Sequence, residues 1–431
     1  MVLSNVEHLG ATVCSQTRLA EREAASPVEK RALELPPDPR ESFQVRQDFL
    51  RKHGPVLSKK TLNALFSKDQ AAPSNKKANL ISEKAINAAV DQCTRTSKPS
   101  EGRLAWLKEQ LAANAMLVAR QEQMRELRQF ENTINKTDPY AHVSVINDVD
   151  LEGPPNTIEY INSYRAGAGI TIPADPVIGC ECGPVCNIKN ERTCCPSMAS
   201  PHFNFAYTKY NRLRDVIGVG SPIYECNKLC SCDASCTNRV VQKGRKHKLA
   251  IFRTDNSCGW GVKAMEPIKA GSFVVEYVGE MITSEEAEVR GKKYDAEGRT
   301  YLFDLDFNLG EENLYTVDAA FCGNLSRFIN HSCDPNLNIF SVYINNLDPN
   351  MPQLCLFAKR DIQKFEQVTF DYCQSTGKAE ADIEIPLLTP SKRVQVSSSI
   401  SQKDSEVERE EELQPKTECR CGAANCRKVL F

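Results

Sequence analysis

Nine cysteines, spaced in two facing groups, constrain this chain more than any other feature. They read Cys180-x-Cys182-x3-Cys186-x7-Cys194-Cys195 and, after thirty residues, Cys226-x3-Cys230-x-Cys232-x3-Cys236. Zinc takes four thiolates in a tetrahedron, so three ions need twelve sulfur contacts, which nine sulfurs supply if three of them bridge. The odd number argues against complete internal disulfide pairing. Structural zinc is the expected use of this block.

The rest of the sequence agrees with reduced thiols. The N-terminal stretch MVLSNVEHLGATVCSQ lacks the basic region and apolar core of a secretory signal. The longest nearly apolar run, 111–119, is about half of what spans a bilayer and contains Asn114. A soluble intracellular protein without a membrane partner is therefore expected. Its 431 residues allow two or three domains. With 54 Lys+Arg against 56 Asp+Glu and a net charge of −2, a broad electrostatic grip on nucleic acid is not the leading idea.

Residues 1–100 carry Phe43, Phe49 and Phe66 but no Tyr or Trp, which predicts no compact core there. From Ser100, a plausible N-cap, strong helix formers with Leu104, Leu107, Leu111 and Val118 predict one long helix. Its heptads fail at Asn114 and Gln121, so a spacer packed on the next domain is favoured over a coiled coil. Between 249 and 373, LAIFRT, SFVVEYVG, TYLFDLDF, LYTVDA, LNIFSVYI, QLCLFAKR and QVTFDY alternate with Gly, Asn and Asp turns, predicting a mostly β domain. Residues 374–417, with EVEREEE, read as a flexible charged insertion. Gly167 with Gly169, and Gly218 with Gly220, lack the third glycine of a dinucleotide fingerprint, so a Rossmann-type cofactor site is unsupported.

A second thiol set, Cys419-x-Cys421-x4-Cys426, offers three zinc ligands and lacks a fourth. The candidates are Cys14, Cys93, Cys258, Cys322, Cys333, Cys355 and Cys373. Cys322, Cys355 and Cys373 lie in or beside strand-like sequence, where a buried free thiol is usual. Cys333, in the polar, turn-rich NHSCDPN at 330–336, is the preferred choice.

The nine-cysteine block, GWGV at 259–262, EYVGE at 276–280, YLFDLD at 301–306, RFINHSCDPN at 327–336, TFDY at 369–372 and the terminal C-x-C-x4-C occur in one order. Together they resemble the SET-domain histone lysine methyltransferases of the suppressor of variegation 3-9 type, over about two thirds of the chain. The resemblance implies a mostly β SET domain, a β-clip with a knot-like C-terminal crossing, flanked by zinc-cluster pre-SET and post-SET modules and preceded by a helical and disordered N-terminal region. The chain then divides into a disordered or partner-docking region without a chromodomain (1–100), the long helix (101–137), a lead-in (138–179), the pre-SET three-zinc cluster (180–236), the SET catalytic domain (237–373), the charged insertion (374–417) and the post-SET zinc module (418–431). The fourth post-SET zinc ligand would be Cys333, joining Cys419, Cys421 and Cys426. S-adenosylmethionine would donate methyl groups to lysine 9 of the histone H3 tail on nucleosomes, in the nucleus at centromeric heterochromatin, where the mark silences genes.

By the same resemblance, Tyr301 and Tyr372 are active-site tyrosines, and Phe370 walls the channel and influences how many methyls are added. A Phe there favours di- or trimethylation. Cys258, Gly259, Trp260 and Gly261 form the cofactor motif, joined by Tyr301, Asn330 and His331, with His331 also supporting Tyr372. The chemistry needs a neutral lysine, and a pKa near 10.4 leaves about one in 2,500 neutral at pH 7, roughly 4.6 kcal/mol uphill. Desolvation in an aromatic channel and repulsion from a sulfonium both lower that pKa, so no dedicated carboxylate base is required. Asp304, Asp306 and Asp318 are candidates for attracting a basic tail, or are solvated acids. The basic run 243–248 is read as a nuclear-import or DNA-contacting segment, or as solvated surface.

Animal relatives commonly carry an N-terminal aromatic cage for methyl-lysine. With three Phe and no Tyr or Trp over residues 1–105, this chain is expected to lack that reader and to rely on a heterochromatin adaptor docking on its N-terminal region. A catalytically silent, zinc-built histone-binding scaffold is the alternative; the intact Tyr301, Tyr372, Asn330 and His331 speak against it.

Overall fold

The computed structural model describes residue 87 and residues 101–155, 158–186, 194–195, 205–256, 258–296, 301–307, 312–373 and 418–430. Expectations for 1–100, residue 87 apart, and for 374–417 lie outside the described residues.

Helix α1 (Glu101–Thr137) has an acid in its first turn and Lys136 in its last, matching the helix dipole. Met116, Ala119, Gln123, Met124, Leu127 and Ile134 recur every three or four residues and are buried. Met124, Leu127 and Ile134 enter the main core, so the helix lies on the following unit as a spacer. Polar side chains fix it there. The buried guanidinium of Arg120 donates to Asn147 O and pairs with Asp148, while Gln123 Nε2 donates to Asp150 O at 2.8 Å. Just past the helix, buried Asp138 accepts from Arg245 at 2.8 Å and from the Tyr160 hydroxyl at 2.7 Å.

The β-branched and aromatic runs pair into four sheets. A five-stranded sheet runs in the order β1 (Val143–Ile146), β5 (Leu249–Arg253), β6 (Trp260–Ala264), β15 (Gln367–Phe370) and β12 (Asn330–His331). A second has β3 (Arg165–Ala166), β8 (Glu280–Thr283), β10 (Tyr315–Asp318) and β9 (Leu302–Asp304), with helix α2 (Ser284–Ala296) following β8. A third has β4 (Ile223–Tyr224), β13 (Leu337–Tyr343), β14 (Gln353–Ala358) and β7 (Phe273–Tyr277), and a pair joins β2 (Glu159–Tyr160) to β11 (Cys322–Gly323). Strand β15 enters between β6 and β12, antiparallel to the first and parallel to the second. This is the C-terminal crossing, and it sets Asn330 and His331 beside Thr369 and Phe370.

Three interiors result: a main apolar core, a second core around Tyr207, Phe273, Phe340 and Phe357, and a third made largely of cysteines. Among the described residues, no helix is long and apolar enough to cross a membrane.

Candidate active site and zinc centres

The crossing puts an aromatic channel at the end of β15. A narrow cavity of about 50 Å³ is lined by Tyr277, Tyr301, Leu302, Phe303, Arg327, Ile329, Phe370 and Tyr372. The Phe370 and Tyr372 rings lie 4.8 Å apart, Tyr277 meets Phe303 at 5.7 Å, and Tyr277 meets Phe370 edge-on at 6.4 Å. Both buried phenols at its base are tied down: Tyr372 Oη donates to Ile329 O at 2.7 Å, and Tyr277 Oη donates to Tyr301 O at 3.1 Å. Burial pushes both hydroxyls well above their ordinary pKa, so they stay neutral hydrogen-bonding groups. Arg327 lies over the Tyr301 ring at 4.4 Å while its Nε donates to Ala319 O at 2.8 Å. Among the described residues, no carboxylate lines the channel.

Of the catalytic candidates, Tyr301, Phe370 and Tyr372 are gathered there, whereas His331 is not a lining residue. It stands behind Tyr372, 5.4 Å between rings, and its Nδ1 accepts the Tyr372 backbone N–H at 3.1 Å. That leaves Nε2 to carry the ring proton and face Cys333 Sγ at 3.3 Å. Burial lowers the pKa of His331 and favours this neutral form; Asp371, 3.5 Å from Nδ1, opposes the shift, and Arg427 adds to it. Asp371 is itself clamped by Arg427 at 2.6 and 2.8 Å. The imidazole thus joins the catalytic strand to the last cysteine module. Tyr277, Phe303, Arg327 and Ile329 escaped sequence reasoning, because a strand aromatic reads as core unless its facing partner is known.

The cofactor motif sits at the start of β6. Gly259 has φ of +74° and nothing within 4 Å of where a Cβ would stand, so its backbone edge is open. At Gly261 a Cβ would meet Gln367 Nε2 at 2.9 Å and Asn330 Nδ2 at 3.0 Å, so any side chain there would have to displace both amides. Asn330 Nδ2 donates to Trp260 O at 3.2 Å, joining the two motifs. Burial raises the pKa of the Cys258 thiol, which disfavours a reactive thiolate there.

The thiols converge in quartets whose sulfurs all lie within 4.8 Å: Cys180, Cys182, Cys186 and Cys194; Cys180, Cys195, Cys226 and Cys230; Cys180, Cys186, Cys226 and Cys232. Cys186 and Cys226 each recur in two quartets and Cys180 in all three, so eight of the nine sulfurs share the twelve places. Cys236 is buried in the same cluster. A fourth quartet joins Cys333 to Cys419, Cys421 and Cys426, with Cys333 and Cys419 sulfurs 3.8 Å apart. Tetrahedral zinc–thiolate bonds of about 2.3 Å space sulfurs about 3.8 Å apart, so both donor sets fit zinc. Burial opposes ionisation of Cys421, yet backbone N–H groups near Cys333 and Ala423 bring its thiol down to about 6.

Three readings are corrected. Asp318 is buried, accepting from Arg290 at 2.8 Å and from the Tyr294 hydroxyl at 2.8 Å, so it cannot meet a tail; Asp304 and Asp306 are exposed. Arg245 is buried on Asp138, so the 243–248 run is not a uniform surface. Cys322 and Cys355 are buried thiols, but Cys373 is exposed, its Sγ on Leu430 O at 2.6 Å.

The SET domain family matches residues 259–373 and the Pre-SET motif matches 135–239. The histone-lysine N-methyltransferase SUV39H2 of Xenopus tropicalis is 44% identical over 316 residues, covering 73% of this chain and 70% of that protein. The chain belongs to the SUV39 family of histone-lysine N-methyltransferases. The Su(var)3-9 enzyme of Drosophila pseudoobscura pseudoobscura is also 44% identical, over 73% of the chain here and 45% of its own length. Among solved structures, a histone lysine methyltransferase studied for product specificity superposes on this SUV39-family enzyme with a TM-score of 0.53 at 33% identity, covering 67% of this chain and 99% of that one. Arabidopsis thaliana SUVH6, solved in complex with SAM, gives 0.51 at 30% identity, covering 67% of this chain and 53% of its own.

Proposed function

We propose that this SUV39-family enzyme transfers methyl groups from S-adenosylmethionine to the side-chain amine of lysine 9 of histone H3, reaching the di- or trimethyl state, on nucleosomes in nuclear heterochromatin. The observation that carries the reading is a channel ringed by five aromatic side chains with, among the described residues, no carboxylate in its wall. Such a wall disfavours the ammonium by desolvation, and the Arg327 cation beside Tyr301 adds like-charge repulsion, so the incoming lysine loses its proton without a protein base.

Tyr372 and Tyr301 line the amine's path, and the Tyr372 phenol, held by Ile329 O, orients the lone pair. Phe370 offers no hydroxyl to anchor a water, which leaves room for added methyls. Cys258, Gly259, Trp260, Gly261, Tyr301, Asn330 and His331 would hold the cofactor, the open backbone at Gly259 allowing close approach. When bound, S-adenosylmethionine supplies an electrophilic methyl group on a sulfonium. Strand β9 is a sheet edge bearing Asp304, with Asp306 just beyond, where a basic tail can add as an extended strand. The SAM-bound SUVH6 neighbour supports the choice of donor. Recruitment through residues 1–100 by a heterochromatin adaptor completes the proposal.

Mass spectrometry of H3-tail peptides after incubation with zinc-loaded enzyme and donor tests it. Methyl adducts on lysine 9 are expected, falling at least 100-fold in rate with Tyr372→Phe, since removing one aimed hydroxyl costs about 3 kcal/mol. A folded, zinc-replete protein that adds no methyl group would leave the scaffold reading.

A further inference from the structure

A net charge of −2 conceals a local excess. Three stretches remote in sequence are laced onto one face: Arg212 bridges to Ser272, Leu213 N donates to Gly271 O at 2.7 Å, Gly271 N donates to Ala358 O at 2.7 Å, and Lys269 pairs with Asp361 at 2.7 Å. Residues 209–213, 268–272 and 358–366 hold Lys209, Arg212, Lys269, Lys359, Arg360 and Lys364 against two acids, Asp361 and Glu366. Those acids are engaged by Lys269 and by Arg360, the latter at 2.7 Å. Lys209, Arg212, Lys359 and Lys364 make no ion pair among the described residues.

Two aromatic side chains stand out on this face. Tyr210 is 63% exposed and Phe365 58%. Lys209 and Arg212 lie over the Tyr210 ring at 5.0 and 5.4 Å, and Lys364 over the Phe365 ring at 4.6 Å. Phe365 has φ of +71°, where a bulky side chain is an outlier, and it is held by its N–H on Ala264 O at 2.7 Å. Such strain is concentrated at functional positions. Because cations already lie over the rings, the rings fix ammonium and guanidinium groups rather than receive a base. Fixed cations on a surface suit regularly spaced phosphates.

We propose that this face grips the phosphate backbone of duplex DNA without regard to sequence and seats the enzyme on the nucleosome whose tail it methylates. The role in methylation rests on the histone-tail reading above; the DNA contact itself does not.

The test uses the full zinc-loaded chain and fluorescence anisotropy with a labelled duplex of random sequence, between about 50 and 200 mM salt. Four phosphate contacts predict a slope of log affinity against log salt of about −3 to −4. Combining Lys209→Glu, Arg212→Glu, Lys359→Glu and Lys364→Glu should flatten that slope and lower affinity at least tenfold. Turnover of an H3 peptide should be unchanged, and turnover of nucleosomes should fall. A second protein with Gln at the same four positions should fall in between, and stands in if the first does not fold. A variant with wild-type zinc content and melting that binds duplex with wild-type affinity and slope overturns the proposal. So does displacement of duplex by much less single-stranded RNA, with Tyr210→Ala costing more than Lys209→Gln, which would mark a base-stacking surface. If neither protein methylates peptide yet their DNA affinities differ, the histone-tail reading fails and the surface stands.

Discussion

On the proposed reading, one methyl more or less turns on single atoms in the channel. Phe370→Tyr places a hydroxyl among Tyr277, Phe303 and Tyr372, and the expected outcome is accumulation of monomethyl-lysine, read by mass spectrometry of product over time, with the first transfer slowed only a few-fold. A second residue-scale case is Arg239, at the thiol cluster. Buried on the thiol cluster, it donates to Cys226 O at 3.0 Å, Asn227 O at 2.8 Å and Cys232 Sγ at 3.3 Å. Three divalent ions held by nine thiolates leave an excess of negative charge, which this guanidinium offsets. Arg239→Met should weaken zinc retention about 10- to 100-fold in chelator competition, and Arg239→Lys should restore little, because a point charge cannot reproduce the fork. The ligating thiols were legible because spacing and zinc stoichiometry constrain each other. Arg239 was not, since nothing local marks an arginine two residues after a turn as a cluster counter-charge. The resemblance already implies that His331 supports Tyr372; what only the fold shows is that it does so from behind the ring, through the Tyr372 backbone N–H, and not from within the channel.

At the level of elements, helix α1 is held at its C-terminal end by one buried pair, Asp138 with Arg245, at side-chain exposures of 3% and 2%. Asp138→Ala leaves the guanidinium buried without its acid and frees the Tyr160 hydroxyl. About 3–5 kcal/mol of destabilisation is expected, seen as a lowered melting temperature and faster amide exchange along the second half of α1. The helix and most strands follow from periodicity and β-branched runs, because each is a local pattern. The pairing of β15 with β12 does not, since strand register across forty residues is fixed by the core and not by either segment alone. Motif resemblance supplied that crossing where propensity was silent.

For the molecule as a whole, β7 runs between two interiors, Tyr277 facing the main core and Phe273 the second. Between them, Glu276 is pushed up to about 7 by burial, against a hydrogen bond from Gln353 at 3.2 Å. A carboxyl with a raised folded pKa binds its proton more tightly when folded. The stability it contributes is present below its ordinary value near 4.5 and is lost as pH rises through 7. Glu276→Gln should therefore be more stable than the parent at pH 8, by about 3 kcal/mol, with the gap closing toward pH 4.5. Composition could not reveal the basic face either, because its six cations are drawn from three distant stretches and averaged away in a near-neutral chain. The turn that bears Phe365 feeds directly into β15, which carries Phe370 into the channel, so the basic face and the channel lie at most about 17 Å apart along five residues of chain. An enzyme seated on DNA through the first would hold the second clear of the double helix. A tail leaving the DNA would need no more than about five extended residues to cover that span, so the turn and strand together would set which lysines come within reach before any side-chain recognition begins.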